Sequence, residues 1–182
     1  MPRIEALTIE TAPAASQPQL AAVKKQIGIV PNMFRTIAHS PAALEGYLGL
    51  NGALAKGSLD AATRERIALA VAEFNGCNYC LAAHTYIGKN LAKLSDGEIE
   101  ANRRGRSSDT KADAAVVFAV KVVSTRGQVS ETELSAVRAA GLTDADIIEI
   151  IAHVALNTLT NYVNEVAGTA VDFPAASALK AA

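Results

Sequence analysis

The stretch RERIALAVAEFNGCNYCLAAHT, Arg64 to Thr85, decides the fold and holds both cysteines of the chain. Its first half, extended back to Leu59, runs to Asn75 without Gly or Pro and is dominated by Ala, Leu, Ile, Glu and Arg. All but Ile are strong helix formers, so a helix is predicted over Leu59 to Asn75. Gly76 is a natural left-handed stop, and Cys77 to Leu91 reads as a second helix whose first turn carries Cys77 and Cys80.

A helix N-terminus has unpaired N–H groups and the positive end of the macrodipole, and both favour a thiolate over a thiol. At about 100° per residue, Cys77, Cys80 and His84 fall within an arc of roughly 60° on one face. Cys80 and His84 are also an i, i+4 pair, the spacing at which helical side chains meet, so the imidazole can serve Cys80 as a base. If Gly76 turns the chain sharply, the two helices run antiparallel. Glu65 then lies about 16 Å back from the turn and His84 about 12 Å forward, a mismatch that a long carboxylate side chain spans. Glu65 is the natural orienter of His84, and Glu73 lies near the mouth of the cysteine pair.

Glu65, Cys77, Cys80 and His84 form an E-x11-C-x2-C-x3-H pattern. This resembles the AhpD-like alkylhydroperoxidases of the carboxymuconolactone decarboxylase superfamily. The segment IGIVPNMFRTIAHSPAAL, Ile27 to Leu44, is similar to the peroxidase-related branch. The resemblance covers roughly residues 20 to 175. It implies an all-α, AhpD-like helical bundle of one domain, a homo-oligomer, and a redox-active disulfide without a cofactor. It further implies that Cys80 attacks a small organic hydroperoxide, that Cys77 resolves the sulfenic acid, and that His84 with Glu65 relays protons. A dithiol of the dihydrolipoamide type would restore the pair. The match departs at Tyr79, where AhpD itself can carry a second histidine; a phenol near pKa 10 is a poorer base but can still donate a hydrogen bond.

Composition narrows the field. Hydrophobic residues make up 50% of 182, aromatics only 4%, and Trp is absent, which suits close-packed helices built from Ala, Leu, Ile and Val. A formal net charge of -1 gives no electrostatic case for nucleic acid or an acidic membrane surface. No apolar run approaches the roughly 20 residues of a membrane span, and the first sixteen residues lack the apolar stretch of a secretory signal. A cytoplasmic location is expected, where a C-x-x-C is catalytic or metal-binding more often than a structural staple.

Along the rest of the chain, residues 1 to 16 read as a loosely packed arm, 17 to 175 as the helical domain and 176 to 182 as a tail. Helices are expected over Gln17 to Lys25, after an Asn32 cap, from Pro41 to Leu54, over the LSDGEIE segment, from Thr110 to Thr125, after a Ser130/Glu133 capping box, and from Thr143 or Asp144 to Ala167. Met33 and Phe34 read as core or pocket wall. Arg64 and Arg66 read as a solvated face, and Arg103, Arg104 and Arg106 as a solvated connector. His39 reads as a turn residue and His153 as a satisfied core or interface histidine. Asn157, Thr160, Asn161 and Asn164 either face the site or bond between packed helices.

Other functions fit parts of the pattern. Zinc could take Cys77, Cys80 and His84 with Glu73 or water, but the second ligand pair of a closed structural site is missing, so no metal is expected. A decarboxylase-type member would not require two thiols. A general thiol-disulfide oxidoreductase, or a redox sensor, uses the same pair and is the nearer competitor.

Overall fold

The computed structural model describes residues 1–179, which form nine helices and no strand among the described residues. They are α1 (Gln17–Ile27), α2 (Asn32–Ile37), α3 (Pro41–Leu54), α4 (Ala61–Asn75), α5 (Asn78–Asn90), α6 (Asp96–Arg103), α7 (Thr110–Thr125), α8 (Glu131–Ala139) and α9 (Asp144–Ala167). The all-α bundle expected from the sequence is the observed architecture.

Helix α4 is the hub, packed against α5, α6, α7 and α9. Every residue from Ile67 to Ala72 is buried, so this helix has no solvent face through its middle. Alternation of Ala68, Ala70 and Ala72 with Ile67, Leu69 and Val71 makes that arrangement feasible, because the alanines let neighbouring backbones approach while the larger side chains fill between them. Ile67 and Val71 join residues of α7, α8 and α9 in one core, Leu69 meets Leu94 and Ile99 beneath α6, and Ala72 belongs to the core around the cysteines.

Helix starts follow local chemistry. Asp60 caps α4 by accepting from Thr63 N–H, which moves the start past Leu59, and Gly76 ends it at φ 70°. Ser95 and Thr143 cap α6 and α9. In both cases the preceding leucine packs in the same core as the isoleucine of the first turn, Leu94 with Ile99 and Leu142 with Ile147. The segments LSDGEIE and LTDADIIEI therefore share one capping and staple pattern. Ser130 and Glu133 form the expected capping box.

Asn32 does not cap α2. Pro31 takes the cap position, while Asn32 Nδ2 donates to Ala170 O at 2.9 Å and its own N–H donates to Asp172 Oδ2 at 2.8 Å. The first sixteen residues are packed rather than loose: Ala12 and Ser16 are buried, Arg3 N–H donates to Ala167 O at 2.7 Å, and Leu7 N–H donates to Arg35 O. The segment after α9 folds back over the bundle, where Ser177 O accepts from Arg103 at 2.6 Å. Of the tail expected over 176 to 182, residues 180–182 lie outside the described residues.

No helix among the described residues is long and apolar enough to cross a membrane.

Candidate active site

Because Gly76 reverses the chain, α4 and α5 run side by side and the end of one meets the start of the other. Cys77 is the N-cap of α5: its sulfur accepts from Cys80 N–H at 3.3 Å, a position usually taken by a Ser, Thr or Asp oxygen. Both thiols are free, and Cys77 Sγ–H points at Cys80 Sγ across 2.8 Å. Cys77 is completely buried, whereas Cys80 lines a cavity of about 640 Å³.

Four groups converge on the Cys80 sulfur. Cys77 donates to it, His84 lies one turn along α5, and Asn164 Nδ2 donates from α9 at 3.3 Å. Asn161, whose Oδ1 is occupied by Asn75 Nδ2 at 2.8 Å, adds its amide from the same side. The hydrogen bond from Cys77 is the largest influence. With the His84 charge and the two amides it outweighs burial and brings Cys80 down to about 6. The Cys77 thiol moves the other way, held protonated by its bond to Cys80 and by burial. One thiolate and one thiol therefore share a single proton-bridged pair.

His84 Nδ1 meets Glu65 Oε2 at 2.8 Å, across the antiparallel pair as the register predicts. Burial opposes a charged imidazole, but the Glu65 carboxylate, the hydrogen bond to it and the neighbouring thiolate prevail, so His84 titrates above its ordinary range. Glu65, His84 and Cys80 thus alternate in sign along the cavity wall.

Glu73 and Tyr79 are placed differently. Glu73 turns away and accepts from Arg103 Nε at 2.7 Å. Tyr79 OH donates to Asp172 Oδ1 at 2.8 Å and accepts from Met33 N–H at 3.1 Å. Burial, with the Asp172 carboxylate accepting its proton, pushes the phenol well above its ordinary value. Tyr79 is therefore a fastener between α5, α2 and the chain after α9, and its ring stacks edge-on against Phe173 at 5.8 Å.

Several other side chains sit apart from their expected places. Arg66 is paired with Glu98 at 2.8 Å and largely shielded, while Arg103 is only 9% exposed in its pair with Glu73. Arg104 pairs with Glu100 and Arg106 with Asp113. Arg103 is thus tied to α4, while Arg104, paired within its own helix, and Arg106, 67% exposed, stay at the surface as the sequence suggests. Arg64 lines the cavity, as do Met33 and Phe34. His39 Nε2 is bonded to Glu5 O at 2.8 Å, which fastens the N-terminal arm. His153 is 5% exposed and lines the cavity, and its Nε2 has no hydrogen-bond partner among the described residues, so it is not the satisfied histidine the sequence suggests. Asn157, Thr160, Asn161 and Asn164 share the His153 face of α9, the face turned to the site.

Tyr47, Asp172 and Phe173 escaped the sequence reading. Tyr47 lines the cavity edge-on to Phe34 at 5.7 Å, and burial together with the Cys80 and Glu65 charges holds its phenol protonated. Its position in α3 is an ordinary apolar one in the pattern, so no local signal marks it. No group of three or more His, Cys, Asp or Glu side chains able to hold a metal forms among the described residues.

The carboxymuconolactone decarboxylase family model matches residues 41–125, which span α3 to α7. No curated protein matches significantly. Among solved structures, an alkylhydroperoxidase AhpD core protein, an uncharacterised peroxidase-related protein from Ralstonia eutropha JMP134, is 28% identical over 94% of this chain and 92% of its own, with a TM-score of 0.83. An uncharacterised peroxidase-related protein from Silicibacter sp. TM1040 shares the fold at 23% identity, covering 92% and 91% with a TM-score of 0.79. So does the debrominase Bmp8, solved with 2,3,4-tribromopyrrole, at 18% identity, 93% and 91% coverage and a TM-score of 0.76.

Proposed function

The chain belongs to the AhpD-like, peroxidase-related branch of the carboxymuconolactone decarboxylase superfamily, and from that premise we propose that it is a peroxidase reducing small organic hydroperoxides through Cys80 and Cys77. The observation that carries this reading is the split pair: a cavity-lining sulfur brought down to about 6 beside a buried thiol 2.8 Å away.

The Cys80 thiolate attacks the outer oxygen of the hydroperoxide. The O–O bond breaks, Cys80 becomes a sulfenic acid, and the departing alkoxide takes the proton of His84 to leave as the alcohol. Glu65 fixes the His84 ring and offsets its charge before that transfer. Cys77 then attacks Cys80 Sγ, an S–S bond forms, and hydroxide leaves with the Cys77 proton as water. An external dithiol reduces the disulfide, so one hydroperoxide and one dithiol give an alcohol, water and an oxidised dithiol.

Burial supports the order and the substrate size. Cys77 is 0% and Cys80 2% exposed, so a macromolecular disulfide cannot reach either sulfur without opening the bundle, whereas a small molecule reaches Cys80 through the cavity. That weighs against a general thiol-disulfide oxidoreductase and against the thioredoxin-like order in which the N-terminal thiol leads. A homo-oligomer working in the cytoplasm completes the proposal.

The test is turnover of cumene hydroperoxide with dihydrolipoamide by the parent, Cys80→Ser, Cys77→Ser and His84→Gln. Turnover lost with Cys80→Ser, and a single oxidation retained by Cys77→Ser, is the expected outcome. Retention of the first oxidation by Cys80→Ser and its loss in Cys77→Ser would reverse the order. No hydroperoxide consumption by the parent would overturn the reading.

A further inference from the structure

The cavity is long, and its two ends differ. Asn164 touches Cys80, and His153 lies eleven residues earlier on α9, about 16 Å away at roughly 1.5 Å per residue. Helix α4 gives a second ruler. Ala72 shares the core of Cys80, and Arg64, eight residues earlier, lies about 12 Å from it along the helix. Both rulers place Arg64 and His153 together at the end remote from the thiols, and the Arg64 charge bears on the His153 ring.

That remote end has donors without acceptors. Arg64 uses only Nη1, which donates to Leu59 O at 2.8 Å and Ala55 O at 3.4 Å, and it forms no ion pair among the described residues. The acids around it are already engaged, Glu65 by His84 and Glu149 by the N–H groups of Ser58 and Leu59. His153 is more than nine-tenths buried, lines the cavity, and leaves Nε2 unpartnered. A guanidinium fork beside an imidazole N–H is the donor set of a carboxylate, whose two oxygens accept in parallel. The wall between the two ends includes Ala68, Ala83 and Leu156, which suits an apolar body.

Resting on the peroxidase reading above, we propose that the cavity selects hydroperoxides that carry a carboxylate, with Arg64 and His153 holding the carboxylate while the peroxide group lies at Cys80. An alkyl or aryl body spanning about 12–16 Å joins the two ends.

Isothermal titration calorimetry with decanoate and 1-decanol tests the anchor without any turnover. The parent should bind decanoate about tenfold or more tighter than 1-decanol, since hydrogen bonds to a charged group carry that much. Arg64→Gln and His153→Leu should each shrink that preference severalfold, and Arg64→Lys should restore part of it. Equal affinity for acid and alcohol in the parent, or a preference unmoved in both Arg64→Gln and His153→Leu, overturns the proposal. Should Arg64→Gln lose its fold by circular dichroism because its bonds to the α3–α4 turn are gone, His153→Leu and Arg64→Lys still decide. Turnover separates the two claims. With linoleic acid hydroperoxide and its methyl ester, the parent should favour the acid in kcat/KM, chiefly through KM, and Arg64→Gln should bring the ratio towards one. Turnover of cumene hydroperoxide without any acid preference defeats the carboxylate anchor and leaves the peroxidase intact. A decanoate preference in a protein that consumes no hydroperoxide defeats the peroxidase and leaves the anchor.

Discussion

Replacing Glu65 by Gln isolates the charge that sustains the imidazolium. The amide preserves the shape of the side chain and a hydrogen bond to His84 Nδ1, now 2.8 Å away, but removes the carboxylate. A bond to a charged partner exceeds a neutral one by roughly 1–2 kcal/mol, which corresponds to about one pH unit. Burial already opposes the charged ring, so without the carboxylate His84 should titrate lower than in the parent and carry less charge. Cys80 then loses one of the influences that hold it at about 6, although Cys77 and Asn164 still donate to it. Its midpoint should rise by about one unit, to about 7. At about pH 6.5 the thiolate fraction would fall from roughly three quarters to roughly one quarter, a threefold loss, and the two proteins would converge above about pH 8.5. The assay is the pH dependence of thiolate ultraviolet absorbance and of iodoacetamide alkylation, with Glu73→Gln as the control because Glu73 is paired with Arg103 outside the cavity. A Glu65→Gln midpoint identical to the parent's, or an equal shift in Glu73→Gln, would refute the chain of influence from Glu65 through His84 to Cys80.

Cys77→Ser should stop the cycle at the sulfenic acid of Cys80, trapped by dimedone and seen by mass spectrometry, and it should also raise the Cys80 midpoint because the strongest donor to that sulfur is weakened. Glu98 accepts from Arg66, Asn102 and the connector residues Ser107 and Ser108, so Glu98→Ala should cost about 3–5 kcal/mol in urea unfolding by stranding Arg66. Burial opposes the charged Glu98 carboxylate, but its donors hold the carboxyl below its unfolded value of about 4.3, so the stabilisation is complete above that pH and is lost on acidification; an acid titration of the parent against Glu98→Gln should diverge there. Asp172→Ala removes the acceptor of Tyr79 OH and Asn32 N–H, at about 1–3 kcal/mol, and hydrogen exchange should quicken at Asn32 and Met33 while the α4 amides stay protected. Along α9, opposite the cavity face, Ile148, Ile151, Leu159, Tyr162 and Val166 are exposed at near-heptad spacing; if a second copy covers them, Tyr162→Glu should lower the mass seen by light scattering.

Helices were legible wherever one local rule acted alone. The absence of Gly and Pro from Ala61 to Asn75, the αL stop at Gly76 and the Ser130/Glu133 box act within a few residues, and so the elements appear where those signals place them. The Glu65 to His84 contact was also legible, because a tight reversal at Gly76 converts sequence distance from the turn into spatial register. Contacts closed over long separations were not. Asp172 reaches Tyr79 across 93 positions and Asn32 across 140, and nothing near Asp172 marks it as a partner for either. The arginines failed for a related reason. Arg103 in a polar run resembles a solvated charge until α4 brings Glu73 against it.

The polar face of α9 explains why this helix tolerates what a core helix ordinarily rejects. A buried donor or acceptor without a partner costs about 1–3 kcal/mol, so natural helices rarely carry several. Here His153 Nε2, which lines the cavity, and Asn164 Oδ1 are both buried without a partner among the described residues, and Asn164 spends its amide N–H on the Cys80 sulfur. A polar face retained only for packing would pair those atoms with neighbouring helices, as the Oδ1 of Asn161 is paired with Asn75 while its Nδ2 is left without a partner among the described residues. Unpaired groups instead stand on Asn164, which touches the Cys80 sulfur, and on His153, in the cavity wall near Arg64. Double replacement of Asn164 and His153 by leucine should therefore raise the melting temperature while lowering kcat/KM, the trade expected of groups kept for a ligand. A double variant that loses both stability and activity would make the face structural.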